Sequence, residues 1–133
     1  MGRISAHIFL SNLIDRSRSI EFDALVDTGA AYLVLPAVWK ERLGQLESFA
    51  SVQVETATQQ VVEADVCGPV LLRIEGFRPV NAEVMFLPME PRPDPFGVER
   101  YEPLLGYIPL EQSQAAVDML GHRLIKVPKV DLK

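Results

Sequence analysis

Cysteine is all but missing from this sequence: Cys67 stands alone. A single thiol excludes an internal disulfide and fits a reducing cytoplasm as the compartment. In "ADVCGPVLL" it reads as a small buried hydrophobe. Long apolar runs are missing as well. None approaches the ~20 residues of a membrane span, so no membrane partner is expected. The start, "MGRISAHIFLSN", has neither the apolar stretch nor the small-residue cleavage site of a signal peptide. Gly2 fails as a lipid acceptor because Ala6 stands where Ser or Thr is needed. Histidine is scarce, and His7 and His122 have no ligand-spaced neighbours, which argues against a metal site. Ser11, Ser17, Ser19 and Ser113 lack the elbow or His partner of a nucleophile. Excess positive charge is absent too: the net charge is −5 and the pI about 5.0, so nucleic acid is not an expected partner. With no repeat or low-complexity tract, 133 residues suit one domain, residues 1–133.

What the sequence has is short alternating segments. In "RISAHIFLS", Ile4, Ala6, Ile8 and Leu10 share one face. In "IEFDALV", Ile20, Phe22, Ala24 and Val26 do the same, and the segment delivers Asp27 at its end. "YLVL" reads as a compact buried strand. "PAVWKERLG" opens with Pro and stops at Gly44, which predicts one or two helical turns carrying Trp39 as a core or interface aromatic. "SVQVET" and "QVVEADVCG" flank "TATQ" as a long hairpin, and "PVLLRIEG" turns through "EGFRP" into "PVNAEVMFL". "PMEPRPDPFGVERYEP" holds five of the ten prolines and reads as a loop. After "LLGYIP", "LEQSQ" suits a turn or two of helix, and "AAVDM" and "RLIKV" form a closing hairpin across "LGH". The sum is a mostly β fold with one or two short helices.

The chemistry concentrates in "ALVDTGAAYLVLP". An apolar strand leads to one carboxylate, which is then surrounded by small side chains. Asp before Thr-Gly is commonly a plain turn carboxylate, and an Asp-Thr-Gly triplet alone is a weak signal. Here it has a companion. About seventy-five residues later comes "PLLGYIPLE", two apolar residues and a glycine at Leu104, Leu105 and Gly106. Asp23, Asp65, Asp94, Asp118 and Asp131 have no such setting and read as solvated or turn carboxylates.

On these residues the chain resembles the retropepsin-like aspartic proteases, the single-domain, homodimeric relatives of retroviral proteases. Asp27, Thr28 and Gly29, followed by Ala30, match the family's catalytic loop, and Leu104, Leu105 and Gly106 match its second hallmark. "LE" followed by "VD" and "RL" resembles the tail of small bacterial members. The stretch "VETATQQVVE" lies where the family places its flap, which residues 52–63 should form. Its tip reads Thr56, Ala57, Thr58, Gln59, Gln60, where many members carry glycine.

The resemblance implies a closed or partly open β-barrel half, completed as a homodimer, with no cofactor and no metal. Two carboxylates about 3 Å apart cannot both ionise, so they share a proton, as aspartic-protease dyads do. One member takes a proton from water while the other polarises the scissile carbonyl. The chain has one such Asp, so Asp27 of a twin must supply the second across a twofold axis. Thr28 is expected to turn its hydroxyl to the twin's loop, while Gly29, Ala30 and Ala31 leave room for substrate. The expected activity is aspartic endopeptidase on an extended peptide held by main-chain hydrogen bonds. Leu33, Val34, Leu105 and Ile108 are the expected cleft walls. The other reading of the same residues is a dimeric peptide-binding or scaffold protein that keeps the fold without useful hydrolysis.

Overall fold

The computed structural model describes residues 3–56 and 58–128. The alternating segments form strands β1 (Ser5–Asn12) and β2 (Ser19–Val26), followed by β3 (Leu33–Pro36) and a 3₁₀ helix, Ala37–Leu43. Next come β4 (Glu47–Glu55), β5 (Val61–Ile74) and β6 (Val80–Leu87). The short pair β7 (Arg92–Pro93) and β8 (Glu99–Arg100) precedes β9 (Leu104–Leu105). Helix α1 (Tyr107–Gln112) leads into the hairpin of β10 (Ala115–Asp118) and β11 (Arg123–Lys126).

Seven strands form one sheet in the order β1-β2-β9-β3-β6-β5-β4, and β1 also pairs with β5. That extra pairing closes six of the strands into a barrel and leaves β4 outside it, on an edge. The inward alternation of β1 and β2 fills the barrel: Ile4, Ala6, Ile8, Leu10, Ile20, Phe22, Ala24 and Val26 are all buried. Leu33, Leu35, Leu72, Val84 and Leu105 complete its centre, all wholly excluded from solvent. Cys67 is buried among them. Trp39 is partly buried against this core, with its ring on Phe22 and Tyr101.

Three readings of the sequence change. The segments "QVVEADVCG" and "PVLLRIEG" are one strand, because β5 runs on through Gly68 and Pro69 while changing neighbours. One edge of β5 pairs with β4 up to Gly68 and with β1 from Val70 onward. A bulge against β6 between Cys67 and Val70 takes up the change, and a side chain at position 68 would meet Phe49 and the carbonyl oxygen of Ala82. The proline-rich stretch is less irregular than a plain loop. Asp94 Oδ1 accepts the amides of Phe96 and Val98, and Arg100 pairs with Oδ2, so the β7–β8 turn is tightly tied. The last helix begins at Tyr107, three residues before "LEQSQ".

Buried Asn12 ties the end of β1 to the chain on either side of Gly44. Its side-chain amide donates to the carbonyls of Leu43 and Gln45, at 2.8 and 2.9 Å, and its Oδ1 accepts from Ile14 and Asp15. All its hydrogen-bonding capacity is used, as burial requires.

Candidate active site

Strand β2 ends at Val26 and releases Asp27 beside β9. The two strands run parallel, with Leu25 opposite Leu104 and Val26 opposite Leu105, and the amide of Asp27 donates to the carbonyl of Leu105 at 3.0 Å. The two sequence motifs are therefore in contact. The contact extends through the loop: Gly106 N–H donates to Tyr32, Tyr107 N–H to Ala30 and Ile108 N–H to Ala31, at 3.0, 2.9 and 3.0 Å. Chain this close has no room for a side chain. A Cβ on Gly106 would lie 2.4 Å from the Tyr32 carbonyl oxygen and 2.6 Å from that of Ala30. That is the physical meaning of the glycine in Leu-Leu-Gly.

Within the loop, Gly29 N–H donates to Asp27 Oδ1 at 3.0 Å, the local turn expected of Asp before Thr-Gly. Among the described residues, Oδ2 takes part in no hydrogen bond. Asp27 is half-buried, Thr28 and Gly29 are exposed, and Ala30 and Ala31 are intermediate. The loop thus presents one carboxylate oxygen, a hydroxyl and small side chains at the surface.

The flap expectation falls on the β4–β5 hairpin, whose register runs from Glu47 opposite Gly68 to Glu55 opposite Val61. At its tip Gln59 N–H donates to Thr56, Thr56 N–H to Gln60, and the Thr56 and Thr58 hydroxyls lie 3.0 Å apart. Gln59 takes a left-handed φ of 63°, so a glycine-like conformation is present without glycine. Ala57 lies outside the described residues, as do Gly2 and Asp131. At the hairpin's base, Asp65 accepts from Lys40 of the 3₁₀ helix at 2.8 Å and from the Ser48 hydroxyl. Those two donors hold the Asp65 carboxyl down at about 2, and the bond to Asp65 in turn raises Lys40. Desolvation pushes the neighbouring Cys67 thiol up, keeping it neutral.

Of the residues expected to wall a cleft, three are covered. Leu33, Val34 and Leu105 are buried, because β3 lies between β6 and β9 and all four of its residues are covered. Ile108 is partly exposed but lines a different groove, of about 440 Å³, with Tyr32 and Phe49. The residues beside Asp27 are Leu25 and Leu104. Period-two alternation puts Leu25 on the outward face of β2 that Asp27 continues, and Leu104 is its partner on β9. Together they line a cavity of about 360 Å³ with Met89, Glu90, Arg92 and Glu102. Leu25 was readable from its place two residues before Asp27; Leu104 needed the pairing.

His7 has neighbours that spacing along the chain did not show. Its ring nitrogens lie 2.6 Å from Asp23 Oδ1 and 2.6 Å from Glu21 Oε1, across the β1–β2 pair. Hydrogen bonds that it donates to Glu21 and then to Asp23 raise its pKa, since both nitrogens must carry protons to satisfy two carboxylates. Asp118, on the closing hairpin, accepts from the amides of Leu120 and Gly121, a structural turn. Among the described residues no group of His, Cys, Asp and Glu is placed to hold a metal ion, and no helix is long and apolar enough to cross a membrane.

Comparison with known proteins agrees with this geometry. The family model described as aspartyl protease matches residues 17–107, a span that contains both motifs and the hairpin between them. Among solved structures, the chain is similar to the EIAV protease complexed with the inhibitor HBY-793. The TM-score is 0.57 at 18% sequence identity, over 83% of this chain and 86% of that one. At that identity the likeness is one of fold: mostly β and retropepsin-like. No curated protein matches.

Proposed function

Because the chain belongs to the aspartyl protease family, we propose that two copies of it form an aspartic endopeptidase with Asp27 of each copy as the catalytic pair. The observation that carries the reading is the joint between the motifs. Backbone hydrogen bonds with Leu105, Gly106 and α1 hold the Asp27 loop at the barrel surface, leaving Oδ2 outside the local turn.

In the proposed dimer, one Asp27 carboxylate takes a proton from a water while its protonated twin hydrogen-bonds the scissile carbonyl. Water oxygen then attacks the carbonyl carbon as the twin's proton passes to the carbonyl oxygen. The tetrahedral intermediate collapses by breaking the C–N bond, the amine leaving with the proton that the first Asp27 took from water. The exposed Thr28 hydroxyl reaches the twin's loop, and the β4–β5 hairpin covers an extended peptide. Leu25 and Leu104 receive an aliphatic stem beside the cut. The chemistry asks for no metal or cofactor, and lone Cys67 is compatible with a cytoplasmic setting. Only the singly protonated pair works, so activity should trace a bell on the acid side of neutrality.

Subunit mixing tests the assignment. The Asp27→Asn homodimer should fold and fail to hydrolyse peptide. After complete exchange with an equal amount of wild type, about a quarter of the dimers keep both carboxylates. Activity per total dimer should therefore fall to about a quarter of wild type. A value of half would show that each chain carries a whole site. Sedimentation should show the dimer at micromolar concentration. Asp27-dependent binding of a secondary-alcohol peptide isostere, without hydrolysis of any peptide, would instead favour the scaffold reading.

A further inference from the structure

The cavity beside Asp27 has two kinds of wall. Leu25, Leu104 and Met89 form an apolar floor, while Glu90, Arg92 and Glu102 stand around it. At about 360 Å³ it suits one long side chain, being near the small end of ligand pockets. The three charged groups differ in setting. Glu90 and Arg92 are exposed, so water satisfies them. Glu102 differs, because the guanidinium of Arg3 lies against its Oε1 and screens that atom from solvent. The Arg3 guanidinium stands against it as an ion pair, with a side chain that is 69% exposed against 38% for Glu102. A partly exposed carboxylate whose cation sits on an exposed side chain exchanges that cation for another at little cost, because Arg3 gives up little by returning to solvent.

We infer that this cavity selects a basic side chain next to the scissile bond, with its aliphatic stem on Leu25 and Leu104 and its charge on Glu102. Arg3 occupies the position of that charge in the empty site and swings out when substrate enters. The arrangement matches the build of lysine, an apolar stem with a cationic end. An acidic side chain is disfavoured because two of the three charged wall residues are carboxylates. The inference rests on the peptidase reading above and goes beyond it by naming the substrate class.

The test uses the full-length wild-type dimer with paired peptides that carry lysine or norleucine at the residue before the cut. Each pair is made as a cleavable peptide and as a non-cleavable secondary-alcohol isostere. Norleucine keeps the stem and removes the charge. Lysine should exceed norleucine about tenfold in kcat/KM and in isostere affinity. Glu102→Gln should bring that ratio to about one, and Arg3→Ala should raise it by freeing the carboxylate. A wild-type ratio of one or below, or an unchanged ratio in Glu102→Gln, overturns the inference. If Glu102→Gln fails to fold, Arg3→Ala decides: a ratio that does not rise overturns it. The two readings fail separately. Isosteres ranked lysine over norleucine with no peptide cleaved would sink the peptidase reading and uphold the pocket. Cleavage with no preference for lysine would do the reverse, and failure to bind either isostere would overturn both.

Discussion

The loop around Asp27 and the tip of the β4–β5 hairpin are both short turns between strands, but they are held in different ways. Residues 27–32 are tied by hydrogen bonds to Leu105, Gly106, Tyr107 and Ile108, some seventy-five residues along the chain. The described residues of the hairpin tip bond only to one another, Gln59 to Thr56 and Thr56 to Gln60. The first turn opens only if β9 and α1 come away with it. The second has nothing to release but itself, and it extends from an edge strand that the barrel does not cover. A loop clamped by a distant part of the chain and a hairpin held by its own bonds are the two behaviours required of an enzyme that must position its chemistry and still admit a chain. Between them lies Asp65, which ties the hairpin's base to Lys40.

Three substitutions grade this difference. Gly106→Ala should have the largest effect, because its Cβ would meet the carbonyl oxygens of Tyr32 and Ala30. A loss of about 3 kcal/mol or more is expected by denaturant titration, with loss of activity. A stability near wild type would mean that β9 and α1 do not clamp the loop.

Asp65→Asn comes second. Lys40 and Asp65 are both partly exposed, at 38% and 34%, so the pair contributes about 0.5–1 kcal/mol. The sign is set by the folded carboxyl lying at about 2 against an ordinary 3.8. The stabilisation is present above pH 4 and is lost as pH falls through 2. Melting curves of wild type and mutant should therefore be separated at neutral pH and converge in strong acid. A gap that persists unchanged to pH 2 would assign the effect to packing.

Gln59→Gly should matter least for stability. Relief at a φ of 63° and the added freedom of the unfolded chain oppose each other, leaving a change within about 0.5 kcal/mol. The association rate of a peptide isostere is the sensitive readout, and it should change while the melting temperature does not. A fall in stability as large as that of Gly106→Ala would show that the tip is held by the rest of the molecule.

The legible parts of the fold were those where one face meets the core and the other meets water. The alternation of β1 and β2 gave their buried faces residue by residue, and the two motifs announced each other by type and order. Where burial is two-sided, the pattern is silent. The residues of β3 are covered on both faces, so Leu33 and Val34 passed for cleft walls. Gly68-Pro69 reads as a break in any sequence, and only the neighbours of β5 show a strand passing from one partner to the next. The bracketing of His7 by Glu21 and Asp23, and the pairing of Arg3 with Glu102, depend on register and chain reversal. No spacing along the chain carries them.

Strand β5 joins two jobs in one piece of backbone. Its fourteen residues span about 46 Å at ~3.3 Å each. The first half belongs to the hairpin and the second to the seam that closes the barrel. It is a lever whose fulcrum lies at Gly68 and Pro69, where the partner changes from β4 to β1. The hairpin and the closing seam against Ile8 and Leu10 thus share one continuous backbone, in the same barrel that carries Asp27. Amide exchange should accordingly fall steeply along this one strand, fast at Val61 and slow at Leu72. In the proposed peptidase, stiffening the seam should then slow the entry of a peptide at a point far along the chain from Asp27.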